Sequence, residues 1–183
     1  MSPSRSRQTG FTVTELMVVL VIIGVLTAVA TPSFTRDSTA RKGRDFVNFV
    51  AQTLQRVHYD AMSVRVAHVA IICADSVTTY RTDQDTFSRR ITAPPGVVIW
   101  DATPDPTKAV NQAAPLGATD SDTCVWMYFN SMGNAGTNVS AANLASWKVY
   151  VRNEKLGATH PDGGFVILVT GLTSYVSVRS HTF

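Results

Sequence analysis

The sequence has few of the residues from which most enzyme sites are built. Its 183 residues include only two cysteines and four histidines, and 16% of them are charged. The histidines share no short spacing with each other or with the cysteines, so no zinc motif is present; they are His58, His68, His160 and His181. Neither a nucleophile–base signature nor a phosphate-binding loop occurs. These absences argue against an enzyme and give no reason to expect a metal ion or another cofactor.

What the sequence does have is one long apolar stretch that contains a single charge. The 24 residues from Phe11 to Phe34 would form a helix of about 36 Å, enough to cross a hydrocarbon core of about 30 Å. Glu15 is the only charged residue among them. Because a carboxylate in an apolar helix is costly, it is usually retained for a function and has a partner. We therefore expect residues 11–34 to be a transmembrane segment in which Glu15 is paired.

The residues around this charge resemble the N-terminus of type IV prepilins and type II secretion pseudopilins. The resemblance consists of a short basic leader, Gly10 before the cleavage position, Phe11 after it, and Glu15 ahead of the apolar helix. It implies that a prepilin peptidase cuts after Gly10 and methylates the Phe11 amine. It also implies that Glu15 pairs with the Phe11 ammonium of a neighbouring subunit, which agrees with the rule that buried charges need partners.

Two further positions in the apolar run agree with this resemblance, and one departs from it. Gly24 and Pro32 fall where pilin helices loosen and kink, because glycine weakens a helix and proline removes one of its hydrogen bonds. Thr14 stands where an aliphatic residue is more usual. That difference does not touch the cleavage chemistry.

Two other interpretations of the N-terminus compete with the prepilin interpretation. An ordinary secretory signal would use Arg5 and Arg7 as its basic region and Ala28-Val29-Ala30 as its cleavage site. A plain membrane anchor would need only the apolar run. Neither explains the acidic residue at position 15, so the prepilin interpretation is favoured.

The leader also predicts the orientation of the chain. Arg5 and Arg7 precede the apolar run, so the positive-inside rule keeps them in the cytoplasm and exports the rest. We expect a single-pass inner-membrane protein whose head lies in the periplasm and later joins a filament. A disulfide persists in that compartment, and Cys73 and Cys124 allow one. Removing both leader arginines lowers 16 basic residues to 14 against 13 acidic ones, so bulk attraction to nucleic acid is not expected.

The rest of the chain predicts an α+β domain in which a long helix packs on an antiparallel sheet. The apolar residues Phe46, Val50, Leu54, Val57 and Ala61 have the spacing of a helical stripe. Short apolar or alternating runs then predict strands at 66–73, 78–81, 87–92, 97–100, 124–129, 147–152, 165–170 and 174–179. Residues 101–123 predict a long surface loop, whose aspartates lack a calcium-loop pattern. One helix followed by closely linked strands indicates the α+β class.

The chain therefore divides into four predicted parts: a leader at 1–10, a transmembrane or filament-core half of the helix at 11–34, an amphipathic half at 35–65 and a β-rich head at 66–183. A helix half-buried in a β-rich head is the architecture of pilin-like proteins. Among them the chain looks most like the GspH/FimT group of minor pilins and pseudopilins. That narrower resemblance is carried by looser patterns: the strand ending at Cys73, the run 126–133 and the last hairpin.

The leading functional prediction is a structural minor pilin that is incorporated into a type IV pilus or primes its assembly. Its expected partners are the prepilin peptidase, other pilin or pseudopilin subunits and the inner membrane. A type II secretion pseudopilin, with the same mechanism, is the first alternative, and the sequence does not separate the two.

A minor pilin that captures DNA for transformation is the second alternative. Some FimT-like minor pilins capture DNA through a C-terminal Gly-Arg-x-Arg loop, which this chain lacks. The residues available for DNA contact are Arg152, Lys155 and Arg179. A charged edge strand explains the same residues equally well, because sheet edges are commonly protected by charge.

Overall fold

One long helix dominates the N-terminal third of the chain. The computed structural model describes residues 11–84, 87–104, 124–138, 144–157 and 159–183, with the backbone alone at 29–37, 87 and 88. Helix α1 spans Val13–Val64, or 52 residues. The chain divides into two compact units, Met1–Ser38 and Thr39–Phe183, and α1 contributes to both. The backbone remains helical through position 32, so the proline there does not end the helix.

Within the second unit, α1 buries the stripe that the sequence predicts. Its five members are at most 5% exposed: Phe46, Val50, Leu54, Val57 and Ala61. The five apolar residues therefore lie on the side of α1 that packs in the core. The helix ends at Val64 because Arg65 adopts a left-handed conformation with φ of 54°, which stops the helical hydrogen-bonding pattern.

Nine strands follow in the described residues: β1 His68–Ile72, β2 Ser76–Arg81, β3 Phe87–Thr92, β4 Val97–Thr103, β5 Val125–Phe129, β6 Ala135–Gly136, β7 Trp147–Asn153, β8 Gly164–Val169 and β9 Val176–Ser180. All of their pairings are antiparallel, so the predicted α+β class is confirmed. The head contains two sheets, however, with strand orders β3-β2-β1-β5-β6 and β4-β7-β8-β9.

The chain passes from the first sheet to the second at a turn between β3 and β4. Pro94 and Pro95 supply no backbone N–H for a ladder, and Gly96 has a φ of 87° that favours glycine. The Val97 N–H donates to the Pro94 carbonyl at 3.0 Å and closes the turn. The change of sheet therefore occurs where the ladder cannot continue.

Two boundaries differ from those predicted. Strand β4 continues to Thr103. The predicted start of the loop, at residue 101, is therefore too early. The rest of that segment, 105–123, lies outside the described residues. Strand β6, Ala135–Gly136, was not predicted at all, because two small residues have no period that a sequence pattern can detect.

A single apolar core joins α1 to both sheets. The helix stripe packs in one cluster with β1 and β5 residues such as Ile72 and Phe129, and with β7 and β8 residues such as Val149 and Ile167. His68 is 3% exposed on the central strand β1. Its Nδ1 lies 2.9 Å from the Val66 carbonyl, so the buried ring has a hydrogen-bond partner.

Candidate functional site

The start of α1 is built by a reciprocal pair of residues, Thr12 and Glu15. The Thr12 N–H donates to Glu15 Oε2 at 2.9 Å, and the Thr12 hydroxyl donates to the same oxygen at 3.1 Å. The Glu15 N–H in turn donates to the Thr12 hydroxyl oxygen at 3.2 Å. This is a capping box, in which each side chain satisfies a backbone donor that the helix leaves unpaired. The acidic residue therefore has a partner within its own chain.

Only one oxygen of the Glu15 carboxylate is used in this cap. Within the described residues, the other oxygen, Oε1, has no hydrogen-bond partner. Phe11, next to the cap, is 87% exposed, and Gly10 lies outside the described residues. Thr12 is the residue that sequence reasoning missed, although the Thr-x-x-Glu spacing is a recognised capping signal.

Beyond the cap, the side chains of residues 11–28 are all exposed. Leu16, Leu20 and Leu26, at different positions around the helix, are 58–63% exposed. A helix that is apolar on every side is normally covered by lipid or by other helices. Across the residues that the structure describes, no helix combines the length and the apolar character needed for a membrane span.

The helix around Gly24, where the sequence predicts loosening, contains side-chain-to-backbone hydrogen bonds. The Thr27 hydroxyl donates to the Ile23 carbonyl at 2.8 Å and to the Gly24 carbonyl at 3.0 Å. Such back-bonding competes with the helix ladder and favours a bend. Added to the absence of a side chain at Gly24, it makes this turn easier to deform than its neighbours.

The two cysteines form a disulfide in the first sheet, as predicted. Cys73 follows β1 and Cys124 precedes β5, and these two strands are paired. The two Cα atoms are 4.5 Å apart, within the range of about 4.4–6.8 Å that disulfides require. The bridge closes the chain segment that forms β2 and β3 of the first sheet, passes to the second sheet as β4, and returns to the first sheet at β5.

The predicted basic residues do not form one compact group. Arg152 lies on β7 with its guanidinium over the rings of Trp100 and Phe183, at 4.7 and 5.6 Å from their centroids. Lys155 lies beyond β7, and its side chain occupies the space above Gly96. Arg179 lies on β9, two strands from β7. Among the described residues, no three His, Cys, Asp or Glu side chains come together as a metal cluster would require.

Comparison with known proteins identifies the N-terminal segment. Residues 5–31 match the prokaryotic N-terminal methylation motif. This N-terminal segment is type IV prepilin-like. The match covers the junction at Gly10, the acidic residue Glu15 and most of the exposed apolar part of α1, and the predicted recognition is confirmed.

Two solved structures resemble this chain. The minor pseudopilin EpsH from the type 2 secretion system of Vibrio cholerae aligns over 76% of this chain and 97% of its own, with 9% identity and a TM-score of 0.48. The type IV minor pilin FimU of Pseudomonas aeruginosa aligns over 80% of this chain and 90% of its own, with 10% identity and a TM-score of 0.45. No curated protein sequence matches the chain.

The head contains a further junction that no sequence pattern indicated. The Gly133 carbonyl lies 2.7 Å from His58 Nδ1 on α1, and it also accepts a hydrogen bond from the Ser174 hydroxyl at 2.5 Å. Ser174 is 1% exposed and has a φ of 45°, which is unusual for a residue other than glycine. The helix, the β5–β6 loop and the β8–β9 turn are thus joined at one oxygen atom.

A second contact joins α1 to the second sheet. The Asn153 side-chain amide, 1% exposed at the end of β7, donates to the Thr39 carbonyl at 3.0 Å. A Cβ atom at Gly43 would approach that amide nitrogen to 3.0 Å, so glycine permits the close approach of helix and strand. Arg44 also forms an ion pair with Asp162 in the turn before β8. These contacts hold the first turns of α1 that belong to the head.

Proposed function

We propose that this protein is a minor pilin, a structural subunit that enters a type IV pilus or primes its assembly through α1. The observation that carries the proposal is the Thr12–Glu15 cap at the start of an apolar helix, within a segment that matches the methylation motif. Cleavage after Gly10 would create a new amino terminus at Phe11, directly beside this cap. Processing and assembly would then use the same few residues.

The free oxygen of the Glu15 carboxylate is the proposed contact to a neighbouring subunit. In the filament, Oε1 accepts a hydrogen bond from the Phe11 ammonium of the next subunit, while Oε2 stays in the cap. A carboxylate has room for both, since its two oxygens accept about four hydrogen bonds. A buried ammonium and a buried carboxylate are each costly alone and tolerable together.

The exposed apolar surface of residues 11–28 suits both environments that we propose for this segment, the membrane before assembly and the filament after it. Before assembly, the segment 11–34 lies in the inner membrane, with the leader 1–10 in the cytoplasm and the head in the periplasm. After assembly, neighbouring helices replace lipid around the same surface. Bending of α1 at Gly24 and Pro32, where the sequence predicts kinks, would let the helix adapt to this change of surroundings.

A type II secretion pseudopilin is the alternative, because the cap, the motif and the apolar surface serve both kinds of filament equally. A knockout separates them. Loss of surface pili with normal protein secretion supports the pilin proposal, whereas accumulation of secreted enzymes in the periplasm with normal pili assigns the protein to secretion.

The assembly step is tested by changing Glu15 to Gln. We expect mass spectrometry of both the variant and the wild type to show a chain that begins at Phe11 with one added methyl group. The variant should be depleted from sheared filaments, because an amide cannot neutralise the neighbouring ammonium. Glu154→Gln, an exposed carboxylate of the head, is the matched control and should assemble normally.

Two results would contradict the proposal. A mature chain that begins at Thr31 would mean that a secretory signal was removed. Normal assembly of the Glu15→Gln variant would mean that the carboxylate does not pair between subunits.

A further inference from the structure

A small polar cavity lies between α1 and the edge of the first sheet. Its volume is about 140 Å³, and its lining residues are Thr53, Arg56, Val57 and Asp60 of α1, Thr79 of β2 and Arg89 of β3. An engineered protein cavity of about 150 Å³ holds a benzene molecule, so this cavity has room for a ligand of several heavy atoms.

The cavity lies where polar residues follow the apolar ones of the core along β2 and β3. Val77 and Ile91 are paired across these strands, and both are buried in the core that includes α1. Thr79 and Arg89 form the next pair on the same side of the sheet, because alternate residues of a strand share a face. An arginine keeps its charged end near solvent, so it does not fill the space beneath the helix as an apolar side chain would.

Thr53 supplies this cavity with a buried hydroxyl. The residue is 2% exposed, and its side chain has no hydrogen bond within the described part of the chain. The Thr79 hydroxyl, by contrast, donates to the Arg89 carbonyl at 3.4 Å. Because buried polar groups normally have a partner, we expect a bound group in the cavity to bond to Thr53.

The charged residues that line the cavity leave an excess of positive charge. Arg56 and Asp60 approach each other to 3.7 Å, but their side chains are 68% and 50% exposed, so this ion pair is weak. Arg89 forms no ion pair with any residue that the structure describes. Its guanidinium carbon lies 4.6 Å from the Phe49 ring centroid, a contact that holds the charge beside α1. Two cations and one anion therefore surround the buried hydroxyl.

We propose that this cavity binds one small oxyanion, a phosphate, sulfate or carboxylate group. Thr53 donates a hydrogen bond to it from the helix, Arg89 binds it from the sheet, and the exposed Arg56 adds positive charge. Guanidinium groups form strong, charge-assisted hydrogen bonds with all three anions. Water alone would satisfy the hydroxyl but would leave the excess charge. This site is separate from the filament contact proposed at Glu15.

A bound oxyanion joins α1 to the edge strand of the first sheet. Strand β3 is paired with β2 alone, so one of its sides has no ladder of backbone hydrogen bonds. A ligand that contacts both Thr53 and Arg89 adds a link between this strand and the helix. Because such a ligand binds the folded chain and not the unfolded one, it raises the stability of the head.

The test titrates inorganic phosphate into the full-length protein in detergent micelles, with sodium chloride at matched ionic strength as the reference. We expect a saturable shift of the Arg89 Nε–H resonance in protein labelled with ¹⁵N-arginine. At about ten times the Kd, the Tm should rise by about 3–6 °C. A parallel titration with acetate assigns the site: tighter binding of phosphate indicates a tetrahedral oxyanion, and tighter binding of acetate indicates a carboxylate.

Variants locate the binding. Arg89→Gln should weaken it at least about tenfold, because it removes the charged donor. Thr53→Val keeps the shape of the side chain without its hydroxyl and should weaken it about fivefold. Without phosphate, Thr53→Val should be at least as stable as wild type, so its lost affinity does not reflect misfolding. Arg90→Gln is the matched control: this exposed arginine is the next residue of β3, faces the other side of the sheet and should stay within about twofold of wild type.

Three outcomes would overturn the proposal. One is the same rise in Tm for wild type and Arg89→Gln, which would be a general salt effect on the surface. Another is unchanged phosphate and acetate affinity in Thr53→Val. The third is a linear, unsaturated response of the Arg89 resonance to both anions up to about 10 mM, which would mean that the cavity holds water.

Discussion

Single residues show how closely local and intermolecular roles overlap in this chain. Glu15 is expected from its sequence context to contact a neighbouring subunit, yet the structure first gives it a local role as the helix cap of Thr12. The two roles use different oxygens of one carboxylate and are therefore compatible. Glu15→Ala removes both roles, Glu15→Gln removes the charge but can keep the cap, and a substitution at Thr12 removes only the local role.

Changing Thr12 to Val tests the cap by itself. The variant keeps the shape of the side chain but loses its hydroxyl, and we expect the first turn of α1 to be destabilised by about 1 kcal/mol. The measurement is hydrogen exchange in micelles of the Glu15 and Leu16 amides, which donate to the Thr12 hydroxyl and carbonyl and should exchange about fivefold faster. Thr14→Val is the matched control and should leave exchange unchanged, because no side-chain hydrogen bond of Thr14 occurs in the described structure.

His181 leads to a prediction about how folding stability changes at acidic pH. Burial, and then the nearby Lys148 ammonium, lower the pKa of His181 below its usual value of 6.5. Because the unfolded chain then binds a proton more readily than the folded one, this residue's contribution to stability is lost as the pH falls. The loss begins near pH 6.5 and is complete below the folded-state pKa.

We therefore expect the unfolding free energy of His181→Gln to fall less steeply than that of wild type between about pH 6.5 and pH 5. Urea unfolding at several pH values measures it. Lys148→Met removes the secondary cause and should give a slope between the two. Identical slopes for wild type and His181→Gln would show that this histidine does not titrate on unfolding.

At the scale of elements, the head is held together by contacts between segments that are far apart in the chain. The Gly133 carbonyl joins α1, the β5–β6 loop and the β8–β9 turn. The loop itself is shaped by the Asn130 side chain, whose oxygen accepts from the N–H groups of Met132 and Asn134.

Gly133 has a φ of 83°, and a Cβ atom there would approach His58 Nδ1 and Met62 Cγ to 2.7 Å. Both the backbone and the packing therefore require glycine.

Gly133→Ala should accordingly destabilise the head by about 2–4 kcal/mol, from backbone strain and from overpacking together. Gly157→Ala is a matched control, since Gly157 has a φ of 75° but nothing within 4 Å of the new Cβ atom. It should cost only about 1–2 kcal/mol of backbone strain. Equal losses of unfolding free energy in the two variants would show that the three-element junction adds nothing.

The disulfide also belongs to this scale, since it ties the end of β1 to the start of β5 across a sequence separation of 51. We expect neither cysteine to react with a thiol reagent in denatured, unreduced protein. The double variant Cys73→Ser, Cys124→Ser should lose about 4 kcal/mol of unfolding free energy, as the chain-entropy model gives for a loop of this length. Stoichiometric labelling of the native preparation would show that the bridge does not form in the exported protein.

At the scale of the whole molecule, the charge distribution bears on the DNA-capture alternative. The mature chain would carry 14 basic and 13 acidic side chains once Arg5 and Arg7 are removed from the 16 and 13 of the full sequence. Its candidate DNA contacts are dispersed, since Lys155 packs on Gly96 and Arg152 on aromatic rings. Little electrostatic attraction remains for a duplex.

We expect the full chain in micelles to bind duplex DNA no more tightly than the non-specific range of about 10⁻⁴–10⁻⁶ M near physiological salt. Three phosphate contacts would give a slope of about −2.7 in log K against log salt, so the titration is repeated at several salt concentrations. Sub-micromolar binding that is lost in Arg179→Ala but kept in Arg90→Ala would place DNA capture ahead of filament structure.

The sequence by itself determined the features that depend on neighbouring residues. The prepilin-type N-terminus is a contiguous motif, and the buried stripe of α1 follows from the helical period of five apolar residues. Most strands were predicted within a few residues of their bounds, because alternating or β-branched runs between turns are local signals. The acidic residue at position 15 was also recognisable, since any charge in an apolar run stands out.

Only the tertiary structure decided which of these segments meet. The division of the head into two sheets, the junction at Gly133 and the contact of Arg152 with the rings of Trp100 and Phe183 bring together residues that are tens of positions apart in the chain. The His58–Gly133 contact spans 75 residues, and that of Thr39 with Asn153 spans 114. Local periodicity contains no information about such distances, because the pairing of strands and the closing of loops depend on how the whole core packs.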